Sequence, residues 1–522
     1  MGKKEKKQKV KGSEKTAAKT DKKLQLKIKK ELVKLGEEDL ETVIAKIEEE
    51  EKKKSQISEE KVPPPSRRVN CTLSANPERD ELFLYGGEYF NGQKTFVYGN
   101  LFSYDIKKRD WREIKSPGAP PPRCAHQTVS VPLGGGQLWI FGGEYMSPSQ
   151  SQFYHYKDLW VYHMKTKRWE KIIATGGPSA RSGHRMVVSK KQLIVFGGFH
   201  DNGRDYKYFN DVYSFNMENR SWKKIEPSGT PPVGRSGCLL VPLSEGKIMV
   251  YGGYSKTKVK RDVDQGTVHQ DAYLLSQEKT DTTGLKWKWQ SLKPLGIRPS
   301  KRTGMSMAVG LTRAFVFGGV FDEEEDEESI SSVLFNEIYT IDFDNQRWNQ
   351  VQLTGKREPA IKPRRRKDVK AGEEEAEESE EELEETSEKL EQMVVEQQNK
   401  EEIVEDDGIF KVVIHGPSKS NNGIVTSEGE TKTVLQPSPR MNSAMALKHN
   451  VLYLYGGLYE EGEDKQITFS DFYSIDTTKF NEWAHLVEDP TAMTEYLGSD
   501  DESDEDDEES GEDEEDSEMD ED

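Results

Sequence analysis

The chain has 522 residues, a formal net charge of −20, and equal hydrophobic and charged shares of 33%. Globular chains run nearer 45–50% apolar (Gly included) and about 25% charged, so this composition describes folded and unfolded segments together. No apolar run reaches the roughly 18 residues of a membrane span. The start MGKKEKK lacks a secretory apolar stretch, and Lys6 makes Gly2 a poor myristoylation site. Cys71, Cys124 and Cys238 are too few and too scattered for a disulfide framework, which fits an intracellular chain, nuclear or cytoplasmic.

Residues 1–62 read as a charged N-terminal arm. Residues 1–34 carry 14 Lys against 4 acids, and residues 35–62 carry 5 Lys against 10 acids. Like-charge blocks bury too little apolar area to offset ordering entropy, so residues 1–20 are expected to be disordered. Leu24, Ile28, Leu32 and Leu35 repeat at helical spacing, as do Leu40, Val43, Ile44 and Ile47. Gly36 divides them into two short amphipathic helices, either transient or docked in a partner groove. The lysines suit weak, salt-dependent contact with nucleic acid, or folding back on an acidic segment of the same chain.

From residue 66 one motif recurs. A short apolar run ends in Gly-Gly at Gly86-Gly87, Gly142-Gly143, Gly197-Gly198, Gly252-Gly253, Gly318-Gly319 and Gly456-Gly457. The first glycines lie 56, 55, 55, 66 and 138 residues apart, so the last gap holds one period plus an insertion. A polar, apolar, aromatic triplet follows each pair, as in Asp158-Leu159-Trp160 and Asp471-Phe472-Tyr473. About nine residues later comes a Trp: Trp111, Trp169, Trp222, Trp287 or Trp289, Trp348 and Trp483. An Arg stands 16 to 19 residues before each pair: Arg68, Arg123, Arg181, Arg235, Arg302 and Arg440. Each unit reads as four short strands, a to d, with strand b ending at Gly-Gly and the Trp on strand d. Five units fill residues 66–350 and a sixth fills 437–488. One such sheet cannot bury its faces, whereas six arranged radially can. The glycines permit strained backbone or close approach where strand b ends. The aromatics supply apolar area between neighbouring sheets.

Residues 351–436 read as a charged, mostly disordered insertion; within it 373–407 carry 18 acids against 2 Lys. Its run Lys362-Pro363-Arg364-Arg365-Arg366-Lys367 has the form of a nuclear import signal or of a solvated basic patch. Residues 489–522 read as an acidic disordered tail suited to basic partners, with 18 acids and no base over 499–522. Ser499, Ser503, Ser510 and Ser517 each have an acid three residues on, and phosphorylation there would deepen the charge.

The repeating marks resemble the Kelch repeat family over residues 66–350 and 437–488. The resemblance implies an all-β fold, a six-bladed Kelch β-propeller, acting as a protein-interaction module without established catalytic activity or cofactor. Each unit carries its own strand a, so unit 1 is expected to pack directly on unit 6 with little strand exchange.

In that geometry the b–c and d–a loops share one face. The b–c loops are long and, in units 1–3, aromatic: Tyr89, Phe90, Phe96 and Tyr98; Tyr145, Phe153, Tyr154 and Tyr156; Phe199, Tyr206, Tyr208 and Phe209. Loop 4 is basic, with Lys256, Lys258, Lys260 and Arg261, and loop 5 is acidic over 322–328. Aromatics and Arg are the residue types enriched at interface cores, so this face is the candidate partner-binding surface. Three residues after the arginines stand Cys71, His126, His184, Cys238, Met305 and Ser443. Opposite sides of a channel cannot share one metal ion, so this ring reads as structural. The arginines are likewise expected to pair with carbonyls or acids between blades. Asp262, Asp264 and His269 lack an evident fourth ligand for a cation, since Asp271 is already the recurrent strand-c residue. No phosphate loop, HExxH or GxSxG occurs. The expected function is a non-catalytic interaction scaffold of open oligomeric state. The alternatives are a substrate receptor of a cullin-type ubiquitin ligase, or an acidic-arm chaperone for RNA- or histone-associated basic partners. The arm is too short and too charged for a BTB domain.

Overall fold

The structure is a computed structural model that describes residues 37–355, 423–425 and 431–489, apart from 203–204, 261–262, 279–280, 282–285, 325–329 and 462–464. The chain divides into two units, Met1–Leu353 with Val434–Asp522, and Thr354–Thr433. In the second, Gly423–Val425 pairs antiparallel with Thr431–Thr433. The disorder expected for most of the insertion, for residues 1–20 and for the tail lies outside the described residues.

The first unit is a ring of six sheets, each built on four antiparallel strands ordered a-b-c-d, with Leu295–Gly296 added in parallel beside strand d of blade 5. In blade 2 these strands are Gln137–Phe141 for b, flanked by Gln127–Val131 for a and Leu159–His163 for c, with Arg168–Ile172 outermost as d. Strand b is buried almost end to end in every register-matched blade, because each sheet has a neighbour on both faces. That is why its sequence is a continuous apolar run and not an alternation.

Six apolar clusters fill the six interfaces between blades. Between blades 1 and 2, for example, Phe83, Tyr85 and Ile114 meet Ile140, Trp160 and Trp169. The ring closes through the same kind of cluster, with Leu84, Phe102 and Trp111 of blade 1 against Tyr453, Tyr455 and Phe472 of blade 6. Both blades use only their own four strands at this seam, and Arg68 N–H donates to the Phe469 carbonyl across it at 3.2 Å. The glycine pairs sit where blades touch most closely. Gly142 has φ +61°, and a Cβ there would lie 2.7 Å from the Arg181 carbonyl oxygen and 2.8 Å from His184 Cε1, both of blade 3. Both the dihedral and the space exclude a side chain.

The N-terminal arm adds two features to the ring. Strand β1, Ser58–Val62, pairs with Asp110–Lys115 and gives blade 1 a fifth, outer strand. Helix α1, Leu40–Lys53, starts at an N-cap where the Asp39 carboxylate accepts from Thr42 N–H. It buries Leu40 and Ile44 and packs on Phe153–His155 of blade 2. The second half of the arm thus docks in cis. Glu48 pairs with Lys171 at 2.9 Å, and Glu59 pairs with Lys167 and Arg112.

Candidate functional site

The repeat arginines build the face on which the loops stand. Arg123 is fully buried; its Nε donates to the Pro121 carbonyl at 3.1 Å and its Nη1 to the Gly142 carbonyl at 3.1 Å. Its two Nη groups form a fork onto Asp158, at 2.7 and 3.2 Å. Arg181 with Asp211, Arg235 with Asp271 and Arg440 with Asp471 repeat this fork, while Arg302 bridges Glu337 through a single donor. These side-chain partners lie in the arginine's own blade, which corrects the expectation of pairing between blades. The inter-blade link is instead the arginine's main chain: Gly87 N–H donates to the Arg123 carbonyl and Gly143 N–H to the Arg181 carbonyl, both at 3.0 Å. Blade 1 departs, since Arg68 meets Ser66 and the Gly86 carbonyl, and Asn100 replaces the acid.

An aromatic ring lies against most of these guanidinium groups. Tyr98, Tyr156, Phe209, Phe335 and Phe469 sit 3.3 to 4.2 Å from the stacked arginine carbon. Tyr156 is only 3% exposed. Tyr98 and Tyr156, read in the sequence as partner-binding, therefore belong to the clamp, as does Phe209. The signal was present: an aromatic recurs two residues before the polar residue that opens strand c, with His269 replacing it in blade 4.

Above the clamps the b–c loops are two-stranded hairpins: Glu88–Phe90 with Thr95–Val97, Glu144–Met146 with Phe153–His155, and Phe199–Asp201 with Tyr206–Tyr208. Phe96 is 45% exposed and Phe153 39% exposed, the most open aromatics of this face. Tyr89 stacks on Phe96 and Phe199 on Tyr208, which leaves Tyr89, Phe90, Phe199, Tyr206 and Tyr208 half-buried. Tyr206 Oη donates to Asp264 at 2.7 Å. Tyr145 and Tyr154 lie beside α1, and their phenols are raised by burial and then by nearby acids that include Glu37 for Tyr145 and Glu41 and Glu48 for Tyr154. The blade 2 loop is thus partly occupied by the chain's own arm. In blade 4, strands b and c run on as one long hairpin, Ile248–Lys260 with Val263–Gln277. Lys256 and Lys258 are exposed on it, Lys260 lies on the same strand, and Arg261 and Asp262 fall outside the described residues. Asp271 is held by Arg235, and His269 Nε2 contacts Ser255 Oγ at 2.9 Å.

The hairpins surround the mouth of the channel, a cavity of about 480 Å³ whose wall includes His126, Glu144, Arg185, Phe199, Tyr254, Met305 and Glu460. Burial and then Arg123 hold the His126 imidazole down to about 3, and burial pushes the Cys71 thiol up to about 12, so both stay neutral at pH 7. His126 Nε2 meets Thr72 Oγ1 of the preceding blade at 3.0 Å. Burial, then the nearby Glu88, raises the Glu144 carboxyl to about 8. No helix among the described residues is long and apolar enough to cross a membrane.

Six radial blades on four core strands each, a buried Arg ahead of each and a double glycine at each strand b define a Kelch β-propeller. Residues 36–253 and 201–372 match the KLHDC2/KLHL20/DRC7 Kelch-repeats domain, and the chain belongs to that family. It is 28% identical over 253 residues to Adagio protein 3 of Arabidopsis thaliana, covering 47% of this chain and 36% of that one. It is 25% identical over 286 residues to the Drosophila melanogaster homolog of leucine-zipper-like transcriptional regulator 1, covering 52% and 25% respectively. With Kelch domain-containing protein 2 of Bos taurus it shares 25% identity over 254 residues, covering 44% and 57%. The aligned regions cover less than two thirds of each of these relatives.

Proposed function

We propose that the chain is an intracellular, non-catalytic scaffold that binds a protein partner on its hairpin face. The observation that carries this reading is the pair of open aromatics, Phe96 and Phe153, held on hairpins whose roots are fixed by buried Arg clamps. Rigid aromatic anchors bind with little loss of side-chain freedom. The lysine-rich start, the insertion before the sixth repeat, the acidic tail and segments 86–96, 154–160 and 182–187 further resemble Kelch domain-containing protein 4, a likeness we also propose.

The test is cross-linking mass spectrometry on the tagged chain from cells, at low and moderate salt, beside a Phe96→Ala/Phe153→Ala variant. A recurrent, salt-resistant partner cross-linked to the hairpins and lost in the variant supports the scaffold. Cross-links confined to the arms and lost with salt favour the acidic-arm chaperone instead. A cullin-bearing partner would recast the scaffold as a ligase receptor.

A further inference from the structure

The mouth of the channel carries carboxylates with no cation of their own. Glu144 and Glu460 line the cavity with Asp322, and Glu88 stands behind the lining residue Asn70. Their nearest polar partners are neutral. Glu88 accepts from Asn70 Nδ2 at 2.7 Å, Glu460 from Gln466 Nε2 at 3.0 Å and Asp322 from Ser332 Oγ at 2.8 Å. Glu144 is 8% exposed, and its Oε2 faces His155 Nδ1 at 3.5 Å. His155 is 6% exposed, and its Nε2 accepts the Asp201 N–H at 3.1 Å. The hydrogen of the neutral ring therefore sits on Nδ1, which has no hydrogen-bond partner and is directed at Glu144. Among the described residues no Lys or Arg pairs with any of these four carboxylates. Ionising a buried acid without a counter-charge is costly unless a ligand brings one.

The rest of the mouth suits a cation as well. Phe199 and Tyr254 occupy, in blades 3 and 4, the position after the glycine pair that Glu88 and Glu144 hold in blades 1 and 2. Aromatic faces attract a cation within about 6 Å. The basic residue on the wall, Arg185, pairs across the sheet with Phe196, three residues before Phe199. It therefore stands deeper than the rim, and it donates to the His184 carbonyl at 3.2 Å.

We propose that the channel mouth receives a Lys or Arg side chain from the protein partner, with Glu144 as its principal anion and Glu88 and Glu460 beside it. This rests on the hairpin-face reading and names the chemistry of the partner's central anchor. Burial raises the Glu88 and Glu460 carboxyls as it does that of Glu144, the behaviour of desolvated acids awaiting a positive charge.

The experiment selects binders to the full chain from a random 12-residue peptide display library at 0.3 M salt, where contacts with the acidic arms are screened. Binders are then titrated against the parent, Glu144→Gln, Glu460→Gln, and Phe96→Ala/Tyr208→Ala. The expected result is a fixed Lys or Arg in the enriched peptides. Its replacement by Ala, and Glu144→Gln, should each weaken binding at least tenfold, and the two losses should not add. Glu460→Gln, at a more accessible site, guards against a folding defect in the first variant. Binders sensitive to the hairpin variant but carrying no fixed base, or indifferent to both channel variants, overturn the inference and leave the scaffold reading standing. If no binder responds to the hairpin variant, both fall.

Discussion

Replacing Arg123 by Met isolates the clamp that fixes each hairpin root. Met keeps the unbranched length and the apolar contact with Tyr156 but removes all the donors. The substitution breaks the fork onto Asp158 and the bonds to the Pro121 and Gly142 carbonyls. Asp158 then retains one short bond, from Trp160 Nε1 at 2.7 Å, in a site where its side chain is 12% exposed. Burial pushes this carboxyl up, and Arg123 now outweighs burial and holds it below its ordinary value. Removing one partner of a buried pair costs about 3–5 kcal/mol, because the stranded charge is left without compensation. Urea unfolding followed by Trp fluorescence should show that loss for Arg123→Met. Asp158→Asn should also destabilise, and the double variant should fall short of the sum by about 1.5–3 kcal/mol. Blade 1 supplies the internal control. Arg68 faces no acid there, and Asn100 instead donates to Glu113 at 2.6 Å, so Arg68→Met and Asn100→Ala should add. A cost below about 1 kcal/mol for Arg123→Met, or additivity with Asp158→Asn, would refute the clamp as a coupled unit.

Three further outcomes follow from burial, charge and edge pairing. Trp483 is 1% exposed whereas Trp222 is partly exposed beside Phe141 and Phe215, so Trp483→Ala should cost about 3–5 kcal/mol and Trp222→Ala clearly less; equal losses in denaturation would contradict the packing. Glu144 has its folded carboxyl raised from about 4.5 to about 8, so its burial favours folding below that window and penalises it increasingly as pH climbs through it. Glu144→Gln should therefore melt like the parent at pH 5 and above it at pH 8, and a gain at pH 5 alone would reverse the sign. Removing residues 1–62 strips β1 from the outer edge of blade 1 and α1 from blade 2, and should lower the melting temperature and open 110–115 to hydrogen exchange. Unchanged exchange there would mean that the arm docks too weakly to matter.

The ring was legible because its marks repeat in register: glycine pairs, triplets, Trp and Arg each recur where one sheet must meet the next. Direct closure of blade 1 on blade 6 followed from counting a strand a in every unit. The clamp was half legible. Its arginines and acids stood out, but their pairing within one blade depends on how the chain turns back through Gly-Gly, which spacing alone does not encode. Tyr98 and Tyr156 read as surface residues because they sit in loops rich in aromatic rings. Only the recurrence of an aromatic at the same offset in other units separates them from Phe96. For the arm, helical spacing found Leu40 and Ile44, yet nothing in the acidic run over 48–51 announced that a strand would follow it and pair with blade 1. That pairing is long-range, and its energy lies in the edge it covers.

The seam between blades 6 and 1 has one more consequence. It is built like the other five, from side chains and main-chain bonds and with no strand lent across it. The segments that enter and leave the ring meet beside it, where Arg67 Nη2 and Asp489 Oδ1 lie 3.2 Å apart. Nothing in the ring therefore requires blade 1 to be made first. A circular permutant that joins residue 489 to residue 66 through a short linker and opens between 355 and 433 should close on the same six interfaces, because the order in which the blades are synthesised is not part of what holds them.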